Sequence, residues 1–174
     1  MKRLFFTIII FFISNSLYAL ELKGTFNQGN LIIGKTEPGS KVIIDNNKVK
    51  VSNNGFFAFG LSKNRKNDVL IEVTKNNISK KIIKKVYKKK YQIQKINGLP
   101  KNQVTPPKEV YERIKKDNKL IADSRSVDSN LNFFFNEFKL PINNSIITGV
   151  YGSQRILNGI PKSPHYGLDF AAKE

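Results

Sequence analysis

From residue 21 to about 90 the apolar positions fall in short runs, each cut off by turn-forming residues. Leu31, Ile32 and Ile33 run up to Glu37-Pro38-Gly39-Ser40, and Val42, Ile43 and Ile44 run up to Asp45-Asn46-Asn47. Val49 and Val51 precede Asn53-Asn54-Gly55, after which Phe56, Phe57 and Phe59 open another run. Val69, Ile71 and Val73 then alternate with Leu70, Glu72 and Thr74 up to Asn76-Asn77. Short strands at this spacing, separated by Asn, Gly and Pro, predict a small antiparallel β-sandwich over residues 20–91. In its last part Ile82, Ile83, Val86, Tyr87 and Tyr91 stand at helical spacing with lysines between them. Their β-branched and aromatic character favours a strand.

The pattern weakens after residue 91. Residues 92–139 read as a linker, with Gly98 and Pro100 in an aperiodic stretch and one helix at about 106–123. Thr105 suits an N-cap, Pro106 and Pro107 suit a first turn that needs no amide hydrogens, and Val110, Ile114 and Ile121 form an apolar stripe. Phe133, Phe134, Phe135 and Phe138 mark a second change of texture. From residue 140 an extended stretch runs through Ile146 and Ile147 to Tyr151, opening a second β region over 140–174. The expected fold is therefore mainly β, with a sandwich, a helical linker and the first strands of a second sheet. That sheet has no room before Glu174 to bury both its faces, so the chain is expected to be an incomplete fragment.

The first nineteen residues have a different character. Lys2 and Arg3 precede an apolar run from Leu4 to Ile13, and a short polar stretch closes at Ala19. That order predicts a secretory signal peptide, and hence export to the periplasm or cell envelope. The run is shorter than the roughly 20 residues that span a bilayer. With no cysteine in the chain, folding rests on packing or on a metal.

The formal charge of +17 raises the possibility of a polyanion partner. Only five of the 30 basic residues are arginine, however, and nucleic-acid readers rely on arginine forks and interleaved aromatics. No nucleic-acid partner is expected. The lysine run at residues 84–85 and 88–90 is a solvated face that suits the anionic envelope surface.

Chemistry concentrates near residue 165, at the only histidine in the chain. In an extended strand His165, Gly167 and Asp169 share one face, and Tyr166, Leu168 and Phe170 share the other. The polar pair then converges over a glycine gap while the apolar trio packs inward. An imidazole nitrogen and a carboxylate oxygen are donor types that zinc accepts. No phosphate loop, nucleophile elbow or thiol site is present.

Residues 149–172, GVYGSQRILNGIPKSPHYGLDFAA, resemble the opening of the catalytic domain of lysostaphin/LytM-type zinc metallopeptidases. That family carries a YGSQR-like segment, a PHxGxD segment and then a small-residue pair. The resemblance implies a peptidase that cleaves the peptide cross-links of peptidoglycan with one zinc ion, His165 and Asp169 being its first two ligands. The third ligand and the general-base histidine belong to a His-x-His motif expected downstream, so no catalytic base lies in these 174 residues. Tyr151 and Arg155 fall where relatives keep an aromatic and a basic residue beside the substrate groove. On the residues alone, Arg155 better suits a turn fixed through backbone carbonyls, and Tyr151 a core position. A second reading is a non-enzymatic envelope protein that activates other cell-wall hydrolases. A third is a plain envelope-binding sandwich.

Overall fold

The computed structural model describes residues 19–136 and 138–172, so the expected signal peptide, apart from Ala19, lies outside the described residues. Seven strands build the front of the chain: β1 Glu21–Lys23, β2 Leu31–Lys35, β3 Lys41–Ile44, β4 Asn47–Val49, β5 Phe56–Gly60, β6 Val69–Lys75 and β7 Ile78–Lys84. They form two antiparallel sheets, ordered β1-β2-β5 and β4-β3-β6-β7. Ile32, Phe57 and Phe59 from the first sheet meet Val42, Ile44, Val69, Ile71 and Val73 from the second in one core. The fold is mainly β, as the periodicity predicts. Each fully buried side chain of this size contributes about 1.5–3 kcal/mol, which makes the inward faces the main stabilising surface.

The turns follow the residues that demand them. Two-residue loops join β3 to β4 and β6 to β7, and Asp45, Asn46, Asn76 and Asn77 all take positive φ, between 47° and 69°. This is the conformation that twists a hairpin correctly and that Asn and Asp tolerate. At Gly55, φ is 81° and an added Cβ would overlap the Thr36 carbonyl. Asp45 also locks the loop that precedes β6. Its carboxylate accepts both Arg65 terminal nitrogens, at 2.5 and 3.1 Å, and the Leu70 amide at 3.0 Å. The Arg65 hydrogen bonds hold its pKa below the ordinary aspartate range, against an opposing push from burial.

The stretch expected to be an irregular linker is partly regular. β8, Ile93–Ile96, pairs in parallel with β10, Gln154–Leu157, which forms a hairpin with β11, Ile160–Pro161. A single helical turn, α1 Lys101–Val104, follows β8, and Asn158 bonds both the amide and the carbonyl of Leu99, at 3.1 and 2.7 Å. The main helix, α2 Tyr111–Arg125, begins later than expected, after a 3₁₀ turn at Lys108–Val110. The paired prolines explain the delay, because a residue preceding proline is driven out of the helical region, and Pro107 itself is extended at ψ 156°. Thr105 closes α1 rather than capping α2. The expected apolar stripe finds no buried position, and Ile121 stays exposed.

Beyond α2, Phe135 stacks on Phe56 of the sandwich with ring centroids 4.6 Å apart, and Lys50 pairs with Asp128 at 2.5 Å. The remaining strands, β9 Ile146–Gly149 and β12 Asp169–Ala171, form a two-stranded antiparallel ribbon.

Candidate metal centre

β9 and β12 are paired so that Asp169 faces Gly149, with a register shift between Asp169 and Phe170. His165 lies outside the strand, in the loop that leads into β12. Its main chain is held at both ends by the turn after β9. The His165 amide donates to the Ser153 carbonyl at 2.8 Å, and the Gly152 amide donates to the His165 carbonyl at 2.7 Å. Ser153 closes the same turn, donating its amide and its Oγ to the Val150 carbonyl at 3.2 and 2.9 Å. This frame aims the imidazole at β12.

His165 Nε2 comes within 3.2 Å of Asp169 Oδ1. The approach lacks hydrogen-bond alignment, and Nε2, closed to solvent, has no hydrogen-bond partner among the described residues. Gly149 makes the approach possible, since a Cβ there would overlap Asp169 Oδ2 and stand 3.2 Å from Nε2. An orphaned imidazole nitrogen facing a carboxylate over a glycine floor fits two ligands of a zinc site. Among the described residues no cluster of three or more His, Cys, Asp or Glu accompanies them.

The structure brings His165 and Asp169 together, as the spacing predicts, but by another route. Residues 165–168 are not extended strand, and the pair meets because the loop folds back on the β9 turn. Gly167, expected to keep the gap open, would carry a Cβ at an ordinary 3.6 Å from Nε2, so the clearance belongs to Gly149. That residue was legible only as one of several glycines near the motif. The apolar trio does not pack inward: Tyr166 is 65% and Leu168 48% exposed, while Phe170 is half-buried. A two-stranded ribbon supplies no second layer on that side among the described residues.

Arg155 and His165 line one shallow pocket of about 290 Å³, together with Lys162 and Tyr166. Among the described residues Arg155 fixes no turn through backbone carbonyls. It lies on β10 and donates Nε to Gln94 Oε1 across the parallel pair, at 3.3 Å. Lys162 Nζ is committed to the Val104 carbonyl. Tyr151 lines no part of that pocket. It is half-buried between Tyr166, with ring centroids 6.0 Å apart, and Gly29, where an added Cβ would come within 2.8 Å of the ring. Compared with known proteins, the chain matches no family model and no curated protein is significantly similar to it.

Proposed function

We propose that this chain is the front part of an exported zinc metallopeptidase acting on the peptide cross-links of peptidoglycan, and that His165 and Asp169 are two of its metal ligands. The observation that carries the reading is the buried Nε2 of His165, unpartnered among the described residues and 3.2 Å from Asp169 Oδ1, within the stretch that resembles the family's opening motif. Gly149 supports it by leaving room for the pair. A zinc ion bound there would supply Lewis acidity toward a scissile carbonyl and an attacking water. The chain's own part is to aim the imidazole and the carboxylate at one point and to hold them there through the turn at residues 150–153. Arg155 and Tyr166 offer a donor and an aromatic surface on the adjoining pocket, where a peptide strand of the cell wall would lie.

Catalytic zinc normally has three protein ligands, so two alone hold it weakly. Calorimetric titration of zinc into the 174-residue chain is expected to give weak uptake that His165→Ala and Asp169→Ala each abolish. Turbidity loss of purified cell walls is expected from the chain joined to any coding sequence that follows Glu174, provided that sequence brings the further histidines. Zinc uptake indifferent to both substitutions, or wall cleavage that survives them, would sink the assignment. Uptake without cleavage in the longer chain would favour the non-enzymatic activator.

A further inference from the structure

Tyr91 belongs neither to the sandwich core nor to the His165–Asp169 pair, yet it touches the segments that hold each of them. Its hydroxyl donates to the Gln28 carbonyl at 2.7 Å, in a loop anchored to the sandwich by the Gly29 amide on the Leu61 carbonyl at 2.8 Å. Its ring fills the space that a Cβ would take at Gly152, where φ is 85°. Lys63 and Lys89 lie over the same ring, at 4.7 and 5.7 Å from its centre. Burial raises the Tyr91 pKa above the ordinary tyrosine range, with Tyr151 adding a smaller push in the same direction. The hydroxyl is therefore a donor throughout neutral pH. Gly152 is the residue whose amide holds the His165 carbonyl.

We propose that Tyr91 is a positioning residue for His165: its ring fixes the Gly152 turn that grips the histidine main chain, and its hydroxyl ties that turn to the sandwich. An aromatic ring suits this task because it presents a rigid face with only two side-chain torsions to order. Only a residue without a Cβ admits the ring so close to its Cα, and glycine also takes the positive φ without strain. The functional weight of this role rests on reading His165 as a metal ligand, whereas the coupling itself does not.

The test uses the full 174-residue chain without metal and follows amide hydrogen exchange at Gly152, at His165 and, for the sandwich core, at Ile71. Tyr91→Ala is expected to speed exchange at Gly152 and His165 about tenfold, the effect of losing one well-held contact, and to shift the His165 imidazole resonances. Ile71 should be unaffected. Tyr91→Phe, which keeps the ring, should retain most of the protection. Gly152→Ala should reproduce the loss, because its Cβ displaces the ring. Gly159→Ala is the control for backbone strain alone, since Gly159 has φ 79° and open space around it, and it should leave both amides as they were. Unchanged exchange and unchanged imidazole resonances in Tyr91→Ala would overturn the proposal. Loss of Ile71 protection in step with the other two would overturn it as well, by showing general unfolding. A parallel zinc titration separates the two readings. If the exchange contrast holds but the chain takes up no zinc, the metal reading fails and the coupling stands. If uptake depends on His165 but not on Tyr91, and exchange is unchanged, the coupling fails alone.

Discussion

His165 Nε2 is shut away from water and, among the described residues, has only the misaligned Asp169 carboxylate beside it, an arrangement that a shared cation would satisfy. Gly149 is the residue on which that arrangement most directly depends. In Gly149→Ala the new methyl competes with the Asp169 carboxylate for space. Zinc uptake measured by calorimetry should fall to the level of Asp169→Ala, while the thermal midpoint of the sandwich changes little, since Gly149 lies outside its core. Undiminished uptake would remove Gly149 from the site. Asp45 allows a test by pH. Its folded pKa lies below the unfolded value of about 3.9, so between the two the folded state binds fewer protons. The contribution to stability is therefore complete above that range and is lost as pH falls through the folded pKa. Asp45→Asn keeps a residue that tolerates φ 47° and an acceptor for the Leu70 amide, but removes the charge. Urea midpoints followed from pH 7 downward should be lower for the variant at neutral pH and converge with the parent under acid. Parallel curves would show that the Arg65 pairing contributes nothing measurable.

Among the elements, the sandwich strands are the most legible, because each carries its own evidence. β6 alternates buried and half-buried positions from Val69 to Val73, and the hairpins are specified by the residues inside their loops. Gly34 and Phe57 illustrate what alternation leaves out. They face one another across β2 and β5, and a Cβ at Gly34 would run into the Phe57 ring. Gly34→Ala is expected to destabilise the fold by about 1–3 kcal/mol through overpacking. Phe57→Ala should cost about 3–5 kcal/mol through the cavity it leaves. The double variant should fall well short of their sum, because the alanine methyl enters space vacated by the ring, and denaturant unfolding measures all three. Strict additivity would mean that the two positions do not share that space. β8 shows the opposite case. All four of its residues are exposed, so no periodicity marks it, and it is a strand only because β10 lies alongside, some sixty residues later in the chain. The Asn158-Gly159 loop of β10 and β11 did carry a signal, an Asn-Gly pair that favours a two-residue hairpin, with φ of 47° and 79°.

At the scale of the whole molecule, burial is unevenly shared. The large buried side chains cluster in the front sandwich, whereas Ile146 and Ile147 on β9 are each about half exposed. Residues 19–91 expressed alone should give a β-type circular dichroism spectrum and a cooperative thermal transition. Residues 140–172 alone should give neither, since an isolated two-stranded ribbon is marginal in water. A front piece that melts without cooperativity would show that the sandwich needs the later strands. Sequencing the amino terminus of envelope-localised protein should find Leu20, with Ala19 removed along with the signal; retention of Lys2 would reject export by that signal. Local chemistry determined the mainly β character and the turn positions, because side-chain alternation and left-handed asparagines act within a few residues, and the motif itself named the candidate pair His165 and Asp169. Contacts between distant segments decided the rest. The parallel pairing of β8 with β10, the clearance over Gly149 and the seating of Tyr91 on Gly152 each join residues far apart in the chain, and no local pattern encodes which distant backbone will come to lie against them.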